Sequence, residues 1–504
     1  MPSLSIVSMG RRDEPGDDEK RKTGERAMTS IMLTTITTAL LLSSAAAQAN
    51  IALSREPTHN MSCSAGVCTP TARNAVLNVA DLTNMLASGD LTIQGGDGIA
   101  TAAGLEIDNG FSWTSTSRLT LSMGNNIIVD APVTVAGSGA LTLNYGQIKR
   151  DDDLLFFGKG KIDFFDLKSK LIINDVRYQL VSNIASIADG VANNPSGAFA
   201  LANDYDASAD GTYTTSPVGT QFGGIFEGLG HSISNLGIRG DHPQTYRLGL
   251  FAILSDATVR DFGLPKAHIN MAPTGYFNVG VLAGEMDNSK MVACWSSGSV
   301  INTDGAAGGL VGFALSSAIQ RSHSSADVSR AEFIGGLVGR FFEGGVVQTS
   351  YASGSVTAGR RSRSMAGGLV GLNESAHVSD SYATGAVATK VKRENRNVPL
   401  AGGLIGADYA KGTANVYSTG TVISSVGYIG GSIGAGSRGT QGYWDLDTSG
   451  IDKGCGTNTC FHIIGLTDAE LKSGLPDGFD PKIWGQSPNI NNGYPYLLAN
   501  PPLK

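Results

Sequence analysis

Charge is scarce in this chain: Lys, Arg, Asp and Glu make up only 16% of its 504 residues, a low share for a helical surface. Proline is also thin, at 17 residues, which excludes collagen and a Pro-rich linker. Basic residues do not predominate, since 37 Lys and Arg stand against 44 Asp and Glu for a net charge of −7. That balance gives no electrostatic footprint for nucleic acid. Beyond Leu42 no apolar run reaches the 18 residues of a membrane helix, and the C-terminus lacks the alternating strands of an outer-membrane pore. What the chain has is glycine, 67 residues or about 13%, roughly twice ordinary usage. With 41% hydrophobic residues it is not disordered. These counts describe a strand-rich protein, either one extended repeat domain or two to three globular ones.

Residues 21–49 read as an export signal. Arg21, Lys22 and Arg26 form the basic start, Ile31 to Leu42 a short apolar stretch, and Ala47-Gln48-Ala49 a small-x-small cleavage site before Asn50. Met9 and Met28 are alternative starts, and a non-cleaved anchor is the competing reading. Export predicts an extracellular or cell-surface location, with the periplasm as fallback and no integral membrane span in the mature chain. Five cysteines fall as Cys63/Cys68, Cys455/Cys460 and Cys294 alone. Two pairs with the same offset in an exported chain predict two small disulfide loops. Free thiols and a four-cysteine zinc site are the alternatives.

Repetition decides the fold. Gly308-Gly-Leu-Val-Gly312 recurs at Gly335–Gly339, Gly367–Gly371 and, with Ile for Val, at Gly402–Gly406. Degenerate copies end at Gly284 and Gly434, and a weaker first copy is Gly249-Leu-Phe-Ala252. A second column follows the inner copies, with an aromatic residue at Trp295, Tyr351, Tyr382 and Tyr417, and His323 in the remaining copy. Two short β-runs in about 30 residues cannot bury an apolar face alone, so neighbouring units must stack. The glycines permit bends with positive φ and close backbone approach. The basic segment 390–396 is expected as an exposed loop. The fold expected is all-β, a parallel β-helix (β-solenoid) of Gly-rich repeats with a few short helices as caps or junctions. Val79 to Ser88, Ile184 to Ala192 and Thr467 to Ser473 have helical spacing, and the first is placed to cap an exposed sheet edge.

These motifs resemble the GLUG repeat of large secreted and surface proteins of bacteria. Its lead-in matches Phe222, Gly224, Phe226, Gly228, Gly230, Ile233, Asn235 and Leu236. Leu91 to Leu143, with six short β-runs between Gly, Asn and Asp, resembles the shafts of filamentous-haemagglutinin-like adhesins. The resemblance implies an outer-membrane secretion partner, although a complete two-partner-secretion domain has no counterpart here. The expected organisation is an N-terminal extension and signal at 1–49, a disordered or disulfide-looped lead-in at 50–74 and a haemagglutinin-like segment at 75–180. A junction with the GLUG lead-in follows at 181–240, then the GLUG solenoid at 241–439 and a C-terminal cap at 440–504.

Several motifs tempt a catalytic reading. Gly430-Gly-Ser432-Ile-Gly434 fits a nucleophile elbow but is the last repeat copy, with Ser in the Leu column. Gly434-x-Gly436-x-x-Gly439 lacks the βαβ context of a dinucleotide site. Asp445-x-Asp447-x-Ser449-Gly450 starts like a calcium loop, but Gly456 stands where the bidentate Glu belongs; Asp445 and Asp447 are therefore weak candidates, and a solvated turn is the alternative. Arg239-Gly240-Asp241 is an RGD tripeptide. The aromatic column either packs as core or forms a ladder for stacking on sugar rings. No H-E-x-x-H is present, and the repeats' strand positions hold Gly, Val, Ser and Tyr where a pectin-type hydrolase would carry clustered acids. The expectation is a non-enzymatic, adhesin-like surface protein without cofactors, binding a host, matrix or cell-surface protein or glycan. The alternatives are a polysaccharide-binding or polysaccharide-degrading β-helix and a structural rod.

Overall fold

The computed structural model describes residues 50–502 apart from 96–103, 147–152, 242–245, 272–274, 303, 360–363, 391–397, 425, 437–439, 458–459 and 461. The export signal at 1–49, most of the basic segment 390–396, and the last three residues of Gly434–Gly439 lie outside the described residues.

Alternating apolar side chains build the first stack. In Arg118–Ser122, Leu119 and Leu121 point inward while their neighbours face out, the period-two pattern of a strand with one buried face. Leu91, Leu119, Leu141 and Leu171 lie in parallel register on successive coils. A second face runs from Ala75–Asn78 through Asn50–Ser54, Gly104–Ile107 and Ile127–Val129 to Leu154–Phe156, and a third joins Phe111–Trp113, Val133–Val135 and Ile162–Phe164. Within the stretch read as a lead-in, Asn50–Ser54 thus already belongs to the stack. Met61–Ser64 and Val67–Pro70 form an antiparallel hairpin with the Cys63–Cys68 disulfide across it. Helix α1 (Val79–Ser88) is capped by Asn78, whose side chain accepts from Ala80 N at 2.8 Å. It packs on Phe111–Trp113, the edge strand of the third face, and so covers an edge that would otherwise expose unpaired backbone groups.

The stack then changes direction at one turn. Asn174 and Asp175 both take positive φ, 45° and 65°, as a two-residue hairpin of the primed type requires. Lys170–Ile173 consequently pairs antiparallel with Val176–Val181, after which parallel pairing resumes. Helix α2 (Ile184–Asn193), closed by a capping box between Asn183 and Ser186, buries Ile184, Ile187 and Val191 against Phe199, Phe222 and Phe226.

In the second stack the repeat becomes a coil corner. Gly308 ends one strand, Gly309-Leu310 turns, and Val311 begins the next. Seven such corners join two seven-stranded parallel sheets, one for each repeat copy. Leu310, Leu337, Leu369 and Leu404 are fully buried there. A Cβ at Gly309, Gly336, Gly368 or Gly403 would lie 2.1 Å from the carbonyl oxygen of the equivalent glycine one coil on. At the closing Gly312, Gly339 and Gly371 it would lie 2.3, 2.5 and 2.4 Å from a backbone nitrogen of the preceding coil. Positive φ, expected at these corners, is not found there; glycine is required by the closeness of neighbouring coils, not by handedness. Left-handed bends occupy another column, Asp261, Ala293, Arg321, Thr349, Asp380 and Asn415, with φ between 46° and 55°.

The expected short helices are present, the third as α4 (Asp468–Leu471) after the cap residue Thr467, with α3 (Leu446–Ser449) before it. The whole is a solenoid of about 13 turns. Among the described residues no helix is long and apolar enough to cross a membrane.

At its C-terminal end the stack closes on the loop of the Cys455–Cys460 disulfide. Lys453 and Gly454 carbonyls accept from Gly431, Ser432 and Ile433, and Gly456 N donates to Ile433 O. Residues 453–456, where this loop begins, thus cover the last repeat corner and the start of Ile433–Gly436. Replacing both cysteines by serine should lower stability by about 2 kcal/mol on a chain-entropy estimate for so short a loop, and free the edge to pair with another molecule. Light scattering of the variant should show end-to-end association that the oxidised chain lacks.

Candidate functional site

The third strand row of the repeat coils carries the site. Val259, Met291, Ile319 and Val347 point into the core, so their neighbours face outward. Arg260, Val292, Gln320 and Gln348 stand in register on successive coils, with Thr258 and Lys290 beside them. This row floors a cleft of 750 Å³. One wall comes from the first stack through Tyr145, Gly146, Asp153 and Asn174, the other from the C-terminal segment through Lys482, Ile483 and Ala499.

Beneath the cleft lies a buried charge cluster. Asp153 accepts from both Arg260 and Arg321. Arg260 Nε also lies 3.1 Å from Glu227 Oε2 and 3.0 Å from Asp261 Oδ2, and the other Glu227 oxygen accepts from Leu229 N at 3.0 Å. Burial, reinforced by the Asp261 carboxylate, holds Glu227 well above the usual range. Burial likewise pushes Asp261 up to about 6 against the pull of Arg260. Asp153 goes the other way, because Arg260 and Arg321 together outweigh its burial. None of these acids belongs to the glycine or aromatic columns that mark the repeat. Glu227 sits inside the GLUG lead-in between Phe226 and Gly228, and Asp261 in the column of left-handed bends.

The aromatic column faces neither the solenoid core nor open solvent. Cys294, Ser322, Ser350, Ser381 and Val416 are fully buried beside it, and the serine hydroxyls accept backbone N–H groups of the preceding coil. The rings of Trp295, His323, Tyr351, Tyr382 and Tyr417 stack outside the coils, with centroids 6.1, 4.6, 4.8 and 4.9 Å apart. Leu471, Phe479, Trp484, Tyr494 and Leu497 cover the tyrosines as a second, smaller core, while Trp295 is only half-buried. Tyr417 Oη donates to Pro495 O at 2.6 Å, and Asn500 Nδ2 donates to Thr349 O at 3.1 Å. The C-terminal segment therefore runs back along the coils as a strap, and that course brings Lys482 and Ala499 to the cleft. His323, pushed down to about 4 by burial against the pull of its bond to Asn500, is neutral at physiological pH. Burial pushes the Cys294 thiol far up, so it is a core residue and no nucleophile. Trp484→Ala should remove about 3–5 kcal/mol of strap packing, exposing Lys472 and Lys482 to trypsin while the repeat coils stay resistant.

The remaining candidates are occupied by structural contacts. Asp445 is fully buried; one oxygen caps α3 by accepting from Asp447 N and Thr448 N, and the other accepts from Tyr494 Oη at 2.8 Å. Asp447 accepts from Asp468 N at 2.9 Å. Ser432 is buried in its repeat corner. Arg239 and Gly240 belong to the strand Gly237–Gly240, not to a loop tip. An acidic group unforeseen from the sequence, Glu106, Asp108 and Asp130, gathers carboxylates within 4.8 Å on neighbouring coils. Burial and then mutual repulsion raise Glu106 and Asp108.

The fold and its repeat define a GLUG-bearing β-solenoid. The GLUG motif family matches residues 362–388, which span one coil from the strand Met365–Gly367 through His377–Ala383 to Val387. The immunoglobulin A1 protease of Streptococcus pneumoniae (strain ATCC BAA-255 / R6) is 27% identical over 221 residues, covering 41% of this chain and 10% of that protein. The chain thus aligns with about a tenth of this relative's length. Among solved structures, a candidate immunoglobulin A1 protease from Bacteroides ovatus aligns at 17% identity and a TM-score of 0.39, over 64% of this chain and 93% of that one.

The expectation that this chain is no enzyme is corrected by this relative, which is named a protease. Acids absent from the repeats' strand positions do gather elsewhere: Glu227, Asp261 and Asp153 meet on Arg260.

Proposed function

We propose that the chain is an exported, adhesin-like solenoid that holds an extracellular or cell-surface ligand in its lateral cleft. The observation that carries this reading is the convergence of three distant chain regions on one open, polar cavity. The repeats alone would make a rod. The turn at Asn174-Asp175 and the returning strap give the rod a concave side with fixed walls. The export signal read at 21–49 and the two disulfides suit an oxidising, extracytoplasmic setting. Protease shaving of intact native cells, with the culture supernatant assayed in parallel for the chain starting at Asn50, tests the location. Shaved or released protein is the expected result; full protection until the envelope is breached would overturn it.

A second reading draws on the name of the pneumococcal relative: the solenoid holds a protein substrate as one part of a proteolytic system. Incubating the chain with immunoglobulin A1 and following the heavy chain on a gel tests it. Fragments would support this reading, and an intact heavy chain would leave the binding role standing.

A further inference from the structure

We propose that the cleft binds a carboxylated saccharide, a hexuronate or a sialate, whose carboxylate is held by Lys290, Arg321 and Lys482. The inference rests on the binding role proposed above and gives it a ligand class. The first support is charge. Four cations line the cleft, Arg260, Lys290, Arg321 and Lys482, against the carboxylate of Asp153 and, beneath it, those of Glu227 and Asp261 on Arg260. Lys290, Lys482 and Arg321 thus carry the charge left to a ligand, in a chain whose net charge is −7. Asp153 is already shared by two guanidiniums. Lys290 and Lys482 are exposed, and among the described residues neither forms an ion pair. Arg321 Nε is buried without a hydrogen-bond partner, an N–H whose desolvation an incoming acceptor would offset. A local positive field in an acidic protein draws anions to that place and away from the rest of the surface.

The second support is the neutral lining. Gln320 and Gln348 are adjacent rungs, joined at 3.4 Å, and Thr258, Thr349 and Asn174 add hydroxyl and amide groups. Such a surface offers donors and acceptors to hydroxyls. Its apolar part is small, chiefly Val292, Ile483 and Ala499, so neither an apolar small molecule nor a hydrophobic peptide has an anchor. The third support is dimension. At 750 Å³ the cleft lies in the range of small-ligand sites, about 300–1,000 Å³. Its polar floor repeats at the inter-strand spacing of about 4.8 Å, close to the repeat of an extended pyranose chain.

Calorimetric titration of the purified full chain tests the proposal with two matched pairs. One is trigalacturonate and its neutral methyl ester; the other is 3′-sialyllactose and its neutral methyl ester. Binding of at least one charged member is expected, with its neutral counterpart at least tenfold weaker and affinity falling as salt rises. Lys290→Glu and Lys482→Glu, both on exposed side chains, should each weaken binding at least tenfold at an unchanged melting temperature. Which pair responds identifies the source of the carboxylate. Absence of binding by both charged sugars, equal binding of charged and neutral members, or wild-type affinity in both variants would overturn the proposal. Because it uses purified protein, a failure here is distinct from a failure of surface location, which shaving alone decides.

Discussion

Gly368→Val should unfold the C-terminal half of the repeat stack. A Cβ at this position would lie 2.1 Å from Gly403 O and 2.8 Å from the Ala383 Cβ, closer than real Cβ contacts come. The obstructing carbonyl belongs to a coil fixed in parallel register on both sides, so it cannot withdraw without breaking its own ladder. Overpacking of this kind exceeds about 4 kcal/mol. In a stack held by nearest-neighbour contacts the damage should remain regional. Hydrogen exchange should show lost protection from about 365 to 436 and retained protection through the first stack. Gly474→Ala is the control: nothing lies within 4 Å of the added carbon, and the change should stay within about 0.5 kcal/mol.

The second large effect is electrostatic. Arg260→Met leaves Glu227 and Asp261 buried with their common cation removed. Breaking a buried pair from one side costs about 3–5 kcal/mol. The pH dependence gives the loss a signature. In the native chain Asp261 is held near 6, above its ordinary 3.8, so the folded state binds a proton more tightly than the unfolded state does. Stability should therefore rise as pH falls from about 6 towards 4. Glu227 adds to this in the same direction. Asp153 is held low by its two guanidiniums; its contribution is present above the unfolded value and lost as pH falls through its lowered folded value. Urea midpoints should thus pass through a maximum on the acid side of neutrality. Asp261→Asn should flatten the rise, and Arg260→Met should steepen it, because protonation then relieves two unopposed carboxylates. A flat profile in all three proteins would contradict the cluster.

The sequence states its repeating features openly. The six β-runs between Leu91 and Leu143 are all strands, because alternation over three to five residues carries the burial pattern locally. The GLUG column is legible for the same reason, with one buried Leu and the same three glycines in successive copies. Their physical cause was less legible. Sequence cannot separate a glycine needed for handedness from one needed for space, and here space decides. The cleft was not legible at all. Asp153 and Arg321 are 168 residues apart, and each stands alone in its column, so no period marks them. The cover of the aromatic column did leave a trace. Phe479, Trp484 and Tyr494 follow the last repeat outside its period, and three large rings in so short a segment need a surface such as the ring ladder to bury them.

Retention of intact cells on a surface coated with the carboxylated trisaccharide that binds in solution joins location and cleft in one measurement. Cells making the wild-type chain should be retained, and cells making the Lys290→Glu, Lys482→Glu double variant should wash off, with equal amounts of protein counted on both by antibody. Equal retention of the two at equal surface protein would contradict the account.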